Sequence, residues 1–271
     1  MKDGIESMLP VKLLKNKPIK EKLQNRFIEL DFFRGFAIIF MVFLHIMWDL
    51  DYFGLVPLNQ DIYQFQKIVP SIFFILVGIC LTVTYNRSIK KQVNYNGKTY
   101  SHLIKRGFKI LILGLIISIV TLIFIPEKPI FFGVLHCIGL SIILAVPFLK
   151  LKNYNILIAP LFILVGIAFS NFTIENPNIL HLILGIHQAN VGQFTIDYFP
   201  ILPWFGVILL GIGLGNIIYC NGDKRRFRLP DLTKYRSITT ISWLGKNSLS
   251  IYLIHQPLIA GTITFFTFIS L

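Results

Sequence analysis

The sequence predicts an all-α, polytopic membrane helix bundle with about seven transmembrane helices, N-terminus cytoplasmic and C-terminus outside. Three observations predict it. The chain of 271 residues is 54% apolar and only 14% charged, with a mean hydropathy of +0.68, so a soluble domain with a polar surface is hard to build from it. Seven apolar runs approach the ~20 residues that a helix needs to cross a hydrocarbon core about 30 Å thick. Lys and Arg collect in alternate connections between those runs, the pattern that marks cytoplasmic loops. The formal charge of +13 is therefore read as topology, not as a nucleic-acid surface, and the bilayer is the expected partner.

In chain order, residues 1–26 carry seven Lys or Arg without an apolar core and read as a basic cytoplasmic tail with no cleaved signal peptide. Residues 27–271 read as one transmembrane domain in a multi-pass protein of the cell membrane. The first span, Phe32–Phe53, is followed by a connection with Lys67 alone, and the second is Gln66–Tyr85. Six Lys or Arg fall between Arg87 and Arg106, with Lys109 beyond, ahead of the third span, Leu103–Ile125. Lys128 alone precedes the fourth, Ile130–Leu149, and a short basic turn with Lys150 and Lys152 leads to the fifth, Tyr154–Ser170. A loop without Lys or Arg, Asn171 to Asp197, separates it from the sixth, Tyr198–Cys220. Six more, from Lys224 to Arg236, precede the last span, Ile241–Thr267. The three cysteines all lie in apolar stretches and lack metal-ligand or paired spacing, so neither a zinc site nor a disulfide framework is expected, and no metal is assigned.

The first span carries a polar stripe. With Arg34 at zero and about 100° per residue, His45 falls near 20° and Asp31 and Asp49 near 60°. Such a face turns away from lipid, into the bundle or a watery cavity. Asp31 and Arg34, at i and i+3, also suit a paired charge that anchors the helix. His45 beside Asp49 is the pair that removes a proton from an amine or hydroxyl, the carboxylate steadying the imidazolium. By helical rise, His45, His136 and His255 lie at one depth, about 20 Å from the cytoplasmic end, which a common cavity explains. In the last span Ser248, Tyr252 and His255 share a face, next to Gln256 and the kinking Pro257. A proton-coupled or small-solute transporter also needs buried His and Asp in a cavity, and these residues alone leave that alternative open.

Four segments carry a resemblance: Arg26 to Gly35 leading to His45; Phe132-Gly133-Val-Leu-His136-Cys-Ile-Gly139; Asp197-Tyr-Phe-Pro200-Ile-Leu-Pro203-Trp204-Phe-Gly206; and Leu244 to Pro257 with Ser248, Tyr252 and His255. They resemble the catalytic domain of heparan-alpha-glucosaminide N-acetyltransferases and their short prokaryotic relatives. The first is also similar to a motif of integral-membrane acyltransferases that O-acylate polysaccharides. The resemblance implies transfer of an acetyl group from cytoplasmic acetyl-CoA, as co-substrate and not a tightly bound cofactor, to an outward-facing amino sugar or glycan. It makes His45 the base, with Asp49 beside it and His136, His255 or Ser248 placed to donate to the oxyanion. Arg34, Lys105, Arg106, Lys109 and the Arg225, Arg226, Arg228 cluster are the candidates for the CoA phosphates, although positive-inside topology also accounts for them. Asp197, Trp204, Ser248 and Gln256 are the candidates for the acceptor.

Overall fold

The computed structural model describes residues 27–57, 65, 67–91, 98–220, 224–226 and 234–269. The basic tail and Arg228 lie outside them, as does the side chain of Arg225. The described helices are α1 (Ile28–Tyr52), α2 (Ile68–Lys91), α3 (Lys98–Phe124), α4 (Val134–Phe148), α5 (Asn155–Ser170), α6 (Ile179–Leu184), α7 (Ile201–Ile218), α8 (Arg236–Lys246) and α9 (Ser248–Ile269). A two-residue antiparallel ribbon pairs Tyr219–Cys220 with Lys224–Arg225.

Among the described residues, six helical stretches are long and apolar enough to cross a membrane, and one of them, Val134–Ser170, runs for 37 residues. That stretch is folded back on itself. Phe148 and Phe162 are 14 positions apart, about 21 Å along a straight helix, yet their ring centroids are 5.8 Å apart. Lys152, with φ 48°, turns the chain, and Asn155 Nδ2 donates to the carbonyls of Phe148 and Lys152 at 2.8 Å to close the turn. The stretch thus supplies two legs, α4 and α5, as the basic turn at Lys150 to Asn153 predicts. The chain is a multi-pass membrane protein. Exposed Phe33, Phe36, Phe43, Ile119, Leu157 and Leu161 give it the apolar exterior that lipid requires.

Glycine sets the closest helix contacts. A Cβ on Gly78 would collide with the Ile208 carbonyl and one on Gly211 with the Ile75 carbonyl, so α2 and α7 run parallel with their backbones touching. Across the seam Thr82 Oγ1 donates to the Ile212 carbonyl at 3.0 Å and Asn86 to Asn216 at 3.2 Å. Fully buried Phe74, Leu81, Ile208, Leu209 and Ile212 make the centre of the core there.

Several expected boundaries move. The fourth span starts at Val134, not Ile130, because Phe132 bridges Tyr198 and accepts from the Phe199 N–H at 2.9 Å instead of turning into helix. Tyr198 and Phe199 likewise stay outside α7, where Pro200 and Pro203 hold the chain out of helical geometry through Leu202 (φ −100°, ψ 128°). The expected last span divides at Asn247: Ile241 to Lys246 end a separate amphipathic helix, α8, and the span begins at Ser248. Helix α8 lies against α1, where a Cβ on Gly245 would strike the Asp31 carbonyl and one on Gly35 the Ile241 carbonyl. Trp243 on α8 stays exposed.

Candidate functional site

Helices α1 and α9 pack side by side in the same direction, joined near one end by Met41, Val42, Leu244, Ile251 and Tyr252 and higher up by polar side chains. The His45 and His255 rings meet edge to face, with centroids 4.7 Å apart at 90°. A carbonyl can only accept, so the contact of His45 Nδ1 with the Met41 carbonyl at 2.8 Å and that of His255 Nδ1 with the Tyr252 carbonyl at 2.7 Å place the proton on Nδ1 in both neutral rings. Each Nε2 is left with its lone pair. His255 Nε2 is buried and finds no hydrogen-bond partner among the described residues.

One turn beyond His45, Asp49 is 2% exposed. Gln256 Nε2 donates to both of its oxygens, at 2.9 and 3.1 Å. The Gln256 Oε1 that this orientation leaves behind is also buried without a partner among the described residues. Two acceptors of adjacent residues therefore stand unsatisfied in a site that already holds a carboxylate, and such a set calls for a donor, as an amine or hydroxyl provides. The Met41 carbonyl, and not Asp49, sets the His45 tautomer. The Gln256 amide nitrogen holds the carboxylate, which leaves the amide oxygen for another donor.

His136 is placed differently. Its Nδ1 accepts from the Gly133 N–H at 3.3 Å, so its proton is on Nε2, which lies 3.3 Å from Ser118 Oγ. The ring takes the part that Glu plays in a capping box, and Gly114 leaves room for it between α3 and α4. Both nitrogens are thus engaged, and the depth shared by three histidines resolves into one contacting pair and one helix-capping residue.

Asp197 links the two groups. Its Oδ2 accepts from the Val134 N–H at 3.1 Å, at the head of α4. Burial pushes its carboxyl above the usual carboxylate range, while the Val134 N–H and the charge of His45 favour ionisation. Next to it, the Tyr198 hydroxyl donates to the Leu182 carbonyl at 2.7 Å. Tyr198 lines a cavity of about 420 Å³ between Phe131 and the 175–198 segment, a feature that the sequence reading did not anticipate.

The remaining candidates separate. Trp204 packs against Phe74 and Phe199 with tilted rings, at 5.0 and 5.1 Å between centroids, inside the bundle. Ser248 is the first residue of α9, about 10 Å of helical rise from His255. Arg34 pairs with Asp31 at 3.4 Å and has the Arg106 guanidinium as an electrostatic neighbour, so two cations from α1 and α3 meet at one level. Lys105, Lys109 and Arg226 are exposed.

A family model described as "Heparan-alpha-glucosaminide N-acetyltransferase, catalytic" matches residues 26–257. No curated protein and no solved structure shows significant similarity to the chain.

Proposed function

This chain belongs to the heparan-alpha-glucosaminide N-acetyltransferase catalytic family and is a membrane acetyltransferase, and from that premise we propose that it transfers acetyl from cytoplasmic acetyl-CoA to a glycan amine or hydroxyl on the far side of the cell membrane. The observation that carries this reading is the His45–His255 contact, with both Nδ1 atoms committed to carbonyls and with His255 Nε2 and Gln256 Oε1 buried and unsatisfied beside it.

A thioester is already activated, so the protein has to align the acceptor, take its proton and stabilise charge at the carbonyl oxygen. In this reading the acceptor N–H or O–H donates to His45 Nε2. As its nitrogen or oxygen bonds to the acetyl carbon, the proton passes to that ring, the C–S bond breaks and CoA leaves as the thiolate. Asp49, kept in place by Gln256, steadies the imidazolium. His255 orients the acceptor through its lone pair, and the His45 imidazolium then gives the acceptor's proton to the thiolate, which leaves as CoA–SH. Arg34 and Arg106 face the donor's phosphates from within the bundle, whereas the exposed Lys105, Lys109 and the Arg225–Arg226 segment supply a longer-range field. Ser248 sits on the donor side of the histidines and Asp197 on the acceptor side.

Purified protein with radiolabelled acetyl-CoA and a panel of amino sugars and glycans tests the reading. Acceptor-dependent transfer lost in His45→Ala supports it; folded wild-type protein that neither binds CoA nor transfers acetyl rejects it.

A further inference from the structure

The cavity beside Tyr198 has a charge character that narrows the acceptor. Its polar lining comes from Glu175, Asn176, Asn178, Gln188, Thr195 and Tyr198, with the aromatic side chains of Phe131 and Phe194 alongside, and no Lys or Arg lines it among the described residues. The whole stretch from Asn171 to Ile201 lacks both. In sequence, the connections before α2 and α4 carry Lys67 and Lys128 against Asp61 and Glu127. A chain of net charge +13 therefore presents an acidic balance where the cavity opens.

Proteins hold sulfate and carboxylate groups with guanidinium and ammonium groups, whose charge-assisted bonds offset the loss of anion hydration. This cavity offers amides, a hydroxyl, aromatic rings and one carboxylate. Amides and aromatic faces suit neutral sugar hydroxyls and pyranose faces, and Glu175 suits a protonated amine. Like charges brought together at such a surface also oppose association. The adjacent carboxylate, Asp197, feels the charge of His45, so a sugar seated against Tyr198 is one residue along the chain from a group electrostatically coupled to the histidine pair.

We infer that the cavity binds a neutral or amine-bearing glycan segment and disfavours sulfated or uronate-rich chains. The inference rests on the acetyltransferase reading only in taking that segment as part of the acceptor.

The test uses the full chain in zwitterionic nanodiscs, with a short unsulfated glucosamine oligosaccharide, its fully N-acetylated counterpart and a heparin-derived oligosaccharide of equal length as probes. Binding is measured without donor at about 50 and about 300 mM salt, where screening differs strongly, and transfer is measured separately with acetyl-CoA. The glucosamine oligosaccharide binds at least about tenfold tighter than the sulfated one at low salt, and the ratio shrinks as salt rises. Glu175→Gln weakens the glucosamine probe and leaves the N-acetylated probe unchanged. Equal or tighter binding of the sulfated probe, or no binding of any probe, overturns the inference. Selective binding with neither CoA binding nor acetyl transfer upholds it and instead rejects the acetyltransferase reading of the site.

Discussion

The edge of one imidazole meets the face of the other where His45 and His255 come together, and neither ring can rotate without breaking its Nδ1 bond to a backbone carbonyl. Two bases held with their open nitrogens in one site act as a unit. His45→Ala and His255→Ala should each lower acetyl transfer by roughly 10²–10⁴-fold, the range for a general base, and the double variant should lose little more than the worse single one. A kinetic cycle of the four proteins measures this, and additive losses would show the rings to be independent.

Asp49 depends on Gln256 in a way that stability can report. Gln256→Leu removes the donor to a buried carboxylate, which costs about 1–3 kcal/mol when a buried acceptor is left unsatisfied. The Tm in detergent should fall, and adding Asp49→Asn should restore part of it. An unchanged Tm in Gln256→Leu would mean that water replaces the amide.

At the contact between α8 and α1 there is no room for a methyl group, since a Cβ on Gly245 overlaps the Asp31 carbonyl. Gly245→Ala should therefore displace α8 and destabilise the protein by about 1–3 kcal/mol, as overpacking does. Gly261→Ala, where a Cβ meets nothing, should be silent. Thermal melts of the two variants side by side decide the matter.

For Asp197, burial raises the carboxyl titration in the fold. A carboxyl so shifted gives its full stabilisation below its unfolded pKa of about 3.9 and loses it as pH rises through the elevated folded value. Asp197→Asn keeps an acceptor for the Val134 N–H but cannot ionise. It should melt above wild type near neutral pH, with the gap closing on acidification. A gap that widens towards acid would reverse the assignment.

Much of the architecture was legible because lipid imposes it. A run of about 20 apolar residues has few other uses, and the Lys150 to Asn153 turn stood out between two of them. What escaped depended on neighbours. Ile241, Trp243 and Leu244 continue the apolar pattern of the last span, so α8 merged with it; the polar Arg236 to Thr240 and the Lys246-Asn247 break were the available signals. Helical rise gave the depth of His136, but not that Gly133 and Ser118 would take both its nitrogens. Gln256 and Asp49 are 207 positions apart, and nothing local reveals that one holds the other. The 171–200 segment has no periodicity from which its cavity could be foreseen.

That separation also has a consequence in time. A ribosome adding roughly 5–20 residues per second makes α1 on the order of 10–40 s before α9. Throughout that interval the Asp49 carboxylate waits for the amide of Gln256. Until α9 arrives, the nascent chain exposes a charge that the bilayer disfavours, so the Asp49 site is completed only once α9 has joined α1.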